Sequence, residues 1–131
     1  MDTKVFFQKN FRYAVVGATT NVEKYGFRVL QYLHAHQLDV VGVNPKYSSV
    51  SGVPCYASIE AIPKKPDVLV FVVPPQIGLH ILHEAHHYGF TKIWFQPGAE
   101  SQETTILAGH LGMTVNDPGT CIMVEHRKLQ G

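Results

Sequence analysis

The sequence predicts a three-layer α/β domain whose parallel sheet of about five strands is doubly wound. Two observations predict it. Short runs of β-branched and aromatic residues are apolar at every position, as strands covered on both faces require. Between them lie longer segments with the apolar spacing of helices. The 131 residues are 45% hydrophobic and 16% charged, which suits a folded chain with a proper core. The whole of 1–131 is expected to form one domain.

Tyr13 to Val16 reads as the first strand, stopped by Gly17. Gly26, Val29, Leu30 and Leu33 then recur at helical spacing and predict a helix. Val40 to Val43 is the second strand, stopped by Asn44 and Pro45. Tyr47 to Val53, rich in Ser and Gly, reads as loop. Ser58 to Ile62 fits one helical turn with Ser58 as its cap. Val68 to Val73 is the purest strand, ended by Pro74 and Pro75. Ile77, Ile81, Ala85 and Tyr88 predict the sheet-packing stripe of a second helix, closed by Gly89. Ile93 to Phe95 is a fourth strand, Ser101 to His110 a third helix, and Met113 to Val115 a fifth strand. The pattern is Rossmann-like.

Charge and hydropathy remove several classes of function. A formal charge of +1 argues against a broad basic face for nucleic acid. No apolar run approaches the ~18 residues of a membrane-spanning helix. Met1 to Asn10 lacks the apolar core and cleavage site of a signal peptide. Cys55 and Cys121 have no metal-type spacing and read as reduced thiols, so a cytoplasmic location is expected.

In doubly wound sheets ligands bind beyond the carboxyl ends of the strands, where strand order reverses. The residues there are chemically distinctive. After the first strand, Gly17 and Ala18 lead into Thr19, Thr20, Asn21, Val22, Lys24, Tyr25 and Gly26. Gly17 allows close backbone approach, the helix start offers free N–H groups and a positive dipole end, and Lys24 adds charge. This is not the full G-x-G-x-x-G fingerprint. After the second strand stand Asn44, Pro45 and Lys46, where NAD-binding domains carry an acidic residue for the ribose hydroxyls. A lysine about 4 Å from a phosphate charge gains roughly 1–4 kcal/mol in a wet site. The expected cofactor is therefore phosphorylated near its ribose. Coenzyme A, with its 3′-phosphate, fits, and NADP is the rival. Val73, Pro74 and Pro75 form a stiff apolar wall suited to adenine or to a pantetheine arm. Phe95, Gln96, Pro97 and Gly98 end the fourth strand. Gln96 can donate and accept, and Gly98 permits close approach.

These segments together resemble the coenzyme A-binding domain family, the domain that forms the amino-terminal half of the succinyl-CoA synthetase α subunit. The resemblance is strongest to small stand-alone CoA-binding proteins. It rests on 14–19, 24–26 and 43–46, continues through 52–56 with Ile62 and Pro63, then 73–75 and 94–98, and closes with 121–126. It implies that Thr19 to Val22 and Lys46 contact the nucleotide end, with Phe95 to Pro97 near the thiol-bearing arm. The family usually has serine where Thr19 stands; the hydroxyl is kept. In the synthetase the phosphorylated histidine belongs to a second domain and the ATP machinery to another subunit. The expectation is a non-catalytic protein binding CoA or acyl-CoA. The alternatives are an NADP-binding oxidoreductase-type domain and a regulatory module that senses CoA and docks onto a protein partner. A homo-oligomer stays open.

Two further signals are weighed and set aside. His83-Glu84-Ala85-His86-His87 matches H-E-x-x-H, a zinc-protease pattern. Its histidines, with His80 beside them, are expected on a solvated helix face opposite Ile77, Ile81 and Ala85, so no metal site is assigned. Neither Cys55 nor Cys121 has an evident His–acid pair nearby in sequence, so no catalytic residue is assigned. Cys121 follows a turn at 117–120 and reads as a small, partly buried residue, with a place near the pocket left open.

Overall fold

Strand β1 (Arg12–Val16) lies near the centre of a seven-stranded sheet of order β3-β4-β2-β1-β5-β6-β7. The computed structural model describes residues 2–130. The other strands are β2 (Asp39–Val43), β3 (Ser49–Val50), β4 (Val53–Tyr56), β5 (Val68–Phe71), β6 (Lys92–Phe95) and β7 (Thr114–Val115). The helices are α1 (Tyr25–Ala35), α2 (Pro75–His87), α3 (Gln102–His110) and α4 (Ile122–Gln130). Short 3-10 turns occupy Thr3–Phe6 and Ile59–Ala61. All strand pairs are parallel except the β3–β4 hairpin at the edge.

Side chains along each strand alternate between two apolar layers. Tyr13, Val15, Val68, Val70 and Trp94 pack with Val29, Leu30 and Leu33 of α1 and Ile122 of α4. Ala14, Val16, Leu69, Phe71, Ile93 and Phe95 pack with Leu82 and Ala85 of α2 and Ala108 of α3. The expected three-layer, doubly wound architecture is therefore present.

The strand count differs from expectation, seven against about five. The Ser- and Gly-rich stretch read as loop contains the β3–β4 hairpin. Ser51 (φ 50°) and Gly52 (φ 78°) form its two-residue turn, the paired positive φ that suits a right-twisted ribbon. Val50 and Val53 flank the turn and are buried. β5 ends at Phe71, two residues short of the expected Val73; Val72 N–H still donates to the Val16 carbonyl of β1 at 2.9 Å, and the side chains of Val72 and Val73 lie over Gly17. Ser58 precedes a 3-10 turn, but its side chain makes no capping bond.

Of the stripe predicted for α2, Ala85 is buried and Ile81 packs against the core, whereas Ile77 is 48% exposed and Tyr88 40%; the other buried positions are Gly78 and Leu82. Gly78 faces Phe71, and a Cβ on it would meet that ring at 3.4 Å. Helix α4 lies beyond the last predicted element. Its buried positions are Ile122 and His126, which pack toward α1 and the Phe6–Trp94 pair. Phe6 itself is fully buried and meets Trp94 edge-to-face at 5.0 Å.

Candidate functional site

The chain leaves β1 for β2 and β4 on one side, then returns to β5 on the other side of β1. The switch point thus lies between β1 and β5, and the loops that follow β1, β2, β5 and β6 converge there.

Gly17 (φ 101°) turns the chain out of β1 directly over Val72 and Val73; a Cβ there would lie 3.0 Å from each side chain. The next residues build their own loop. Asn21 N–H donates to Thr19 Oγ1 at 3.2 Å, and Glu23 N–H donates to Asn21 Oδ1 at 3.1 Å. Helix α1 then starts without a side-chain cap at Lys24, which leaves its first N–H groups for another acceptor. Gly26 permits this close start, since a Cβ on it would lie 2.1 Å from the Gly17 carbonyl oxygen. It does the helix-packing job of the last fingerprint glycine.

Asn44 clasps the two loops together. Its Nδ2 donates to the Ala18 carbonyl at 2.9 Å, and its Oδ1 accepts from Lys46 N–H at 2.9 Å. Lys46 is exposed and, among the described residues, has no carboxylate partner. Beside it, Tyr47 places its hydroxyl 3.4 Å from Thr19 Oγ1. Hydrogen bonds with Thr19 and then Thr20, aided by the Lys46 charge, hold this phenol below its usual range.

Three clefts join at Val73. One of about 600 Å³ runs along the start of α1, lined by Gly17, Thr19, Asn21, Lys24, Lys46 and Tyr47. A second of about 400 Å³ opens toward α2 between Val43, Pro45, Ile59, Ile77, Ile81 and Glu84. A third of about 310 Å³ runs past Tyr25, Pro74, Pro75, Gln96, Pro97 and Gly98. Together they form a branched trough with one arm that carries Lys24 and Lys46 beside a single carboxylate, Glu23, and two mainly apolar arms, a form that suits an extended, partly phosphorylated ligand.

Some expected ligand contacts point elsewhere. Ala18 is buried, packed close to Gly42. Phe95 is buried edge-to-face on Phe71 at 5.3 Å. Gln96 spends its amide inside the protein, donating to Cys121 Sγ at 3.3 Å and accepting from Ile122 N–H at 2.7 Å. That end of the trough therefore does not offer the Gln96 side chain, and the Gln96 N–H and carbonyl are also taken, by the Phe71 carbonyl and the Ala99 N–H. Thr20 and Val22 are exposed and line none of the three clefts. Cys121 lines none of the three clefts and accepts from the buried Gln96 amide. On α2, His80, His83, His86 and His87 are all exposed, the solvated face that was expected.

Sequence reasoning did not place Tyr47, Ile77, Ile81 or Glu84 in the site. Tyr47 adjoins Lys46 and was legible as an aromatic at a strand end. Ile77 and Ile81 were read as sheet-packing positions of α2 rather than as lining of a cleft.

Comparison with known proteins fits this geometry. Residues 12–127 match the CoA binding domain family. The chain belongs to that family. It is 38% identical over 64 residues to the ADP-forming acetate–CoA ligase I of Archaeoglobus fulgidus, covering 49% of this chain and 9% of the ligase. It is 29% identical over 128 residues to the alpha subunit of the ADP-forming acetate–CoA ligase II of Pyrococcus furiosus, covering 88% of this chain and 28% of that subunit. The chain thus spans less than a third of the length of these relatives. A solved structure of a conserved hypothetical protein from Pyrococcus furiosus superposes with TM-score 0.83 at 45% identity, covering 88% of this chain and 98% of that one. This CoA-binding domain is therefore related to ligases that are far longer and also to a structure of its own size. No helix among the described residues is long and apolar enough to cross a membrane.

Proposed function

We propose that this CoA-binding domain is a non-catalytic, cytoplasmic binding protein for coenzyme A or its acyl form. The ligand lies across the carboxyl ends of β1, β2, β5 and β6. Its pyrophosphate sits at the uncapped start of α1, where N–H groups and dipole favour an anion. Its 3′-phosphate meets Lys46, with Lys24 and the Tyr47 hydroxyl alongside. The pantetheine arm leaves past Pro74 toward the main chain at Pro97 and Gly98.

One observation carries this reading: Lys46, without an acidic partner, lines the α1-side arm where a dinucleotide domain would present a carboxylate. Family membership supports it. The protein's role is to hold or sense the cofactor, and a protein partner is consistent with the subunit status of the Pyrococcus furiosus ligase relative.

Thermal unfolding tests the cofactor choice. A ligand that binds only the folded state raises Tm by mass action. CoA is expected to raise Tm more than NAD or NADP at equal concentration. Stabilisation by NADP above CoA, or by NAD alone, contradicts the reading.

A further inference from the structure

The H-E-x-x-H segment contributes to the trough through its glutamate, not its histidines. Ile77, Ile81 and Glu84 are spaced i, i+4 and i+7, one face of α2. All three line the arm of about 400 Å³, while His80, His83 and His87 are exposed. Ile77 is 48% exposed in the open cleft, a large apolar surface left at the edge of a site. Val43, Pro45, Ile59 and Val73 supply the remaining apolar walls.

Polar groups in this arm are few. Asn44 is consumed by its bonds to Ala18 and Lys46. Ser58 makes no capping bond, and among the described residues the Glu84 carboxylate has neither a hydrogen bond nor an ion pair. An ionised carboxylate only accepts hydrogen bonds. An apolar slot ending in a free acceptor fits a flat ring with apolar faces and a donor on its edge. The slot shares Gly17, Asn44 and Val73 with the arm that carries Lys24 and Lys46, so such a ring would be continuous with a bound phosphate.

We propose that Glu84 is a specificity-determining residue that accepts a hydrogen bond from the exocyclic amino group of an aminopurine held between Ile77, Ile81 and Val73. This rests on the nucleotide reading above and goes beyond it, because it assigns base recognition to a single side chain. An acyl chain in the same slot would offer the carboxylate no donor, and a pantetheine amide N–H in its place would be lost equally with both ligands of the test below.

The test compares two ligands on two proteins. The ligands are CoA and a CoA analogue whose purine carries hydrogen in place of the 6-amino group. The proteins are the native chain and Glu84→Ala, an exposed position whose loss leaves the core untouched. Titration calorimetry is expected to show CoA binding weakened about tenfold or more by the substitution, as for loss of a hydrogen bond to a charged group. Binding of the analogue is expected to change less than about twofold. The native chain is also expected to prefer CoA over the analogue. Equal weakening of both ligands, or of neither, overturns the role of Glu84 and leaves CoA binding standing. Failure of the native chain to bind either ligand overturns both readings together.

Discussion

At Gly26 an absent side chain decides where α1 begins. A Cβ would sit 2.1 Å from a backbone oxygen, which cannot swing away as a flexible side chain can. Gly26→Ala is expected to lower stability by about 1–3 kcal/mol, the range for overpacking a tight contact. Urea unfolding checks this, and a variant as stable as the native chain would show that the loop has slack. CoA affinity should fall with it, because any shift of Gly17 moves the phosphate loop. Gly17 and Lys46 were legible in sequence because both stand at strand ends with few structural reasons to be there. Gln96 was not. Its amide looks free in sequence, and only the fold shows that Cys121 and Ile122 occupy it.

Among the elements, α4 shows why part of the fold was hidden. Its inward positions are Ile122 and His126, so a histidine interrupts the apolar stripe that would have announced a helix. His126 Nδ1 lies 2.9 Å from the Tyr32 hydroxyl of α1, with Phe7 and His36 against its ring and Arg127 next in the chain. Burial, then the His36 and Arg127 charges, push its pKa below the usual value near 6.5. The consequence for stability has a definite sign. As pH falls below about 6.5 the unfolded chain takes up this proton before the folded one does, so acid favours unfolding. Stability is therefore expected to be complete above that pH and to decline beneath it, down to the depressed native value. Denaturation midpoints from pH 7.5 to 5 will show the decline, and His126→Phe should flatten it. Parallel declines in both proteins would move the cause to other groups. Helix α2 was legible at Ala85 and Ile81 but not at Gly78, because glycine carries no hydrophobic signal although Gly78 is buried against Phe71.

Across the whole molecule, the alternation of apolar strands and amphipathic helices was enough to predict a doubly wound sheet, since such strands need cover on both faces. The β3–β4 hairpin escaped because β3 has only two residues and β4 four, too few for a readable period, and its turn looks like loop composition. Strand order places the switch point between β1 and β5, which gathers loops distant in sequence into one trough. The central claim is that Lys46 in that trough reads a phosphate near the ribose. A double-mutant cycle tests it most directly, with Lys46→Ala on the protein side and removal of the 3′-phosphate on the ligand side. Calorimetry of native and variant chains with CoA and dephospho-CoA gives the four affinities. Lys46→Ala is predicted to weaken CoA by about 10- to 150-fold, the cost of one charge-assisted hydrogen bond, and dephospho-CoA far less. An equal loss for both ligands would contradict the account, because the lysine would then not be reading that phosphate.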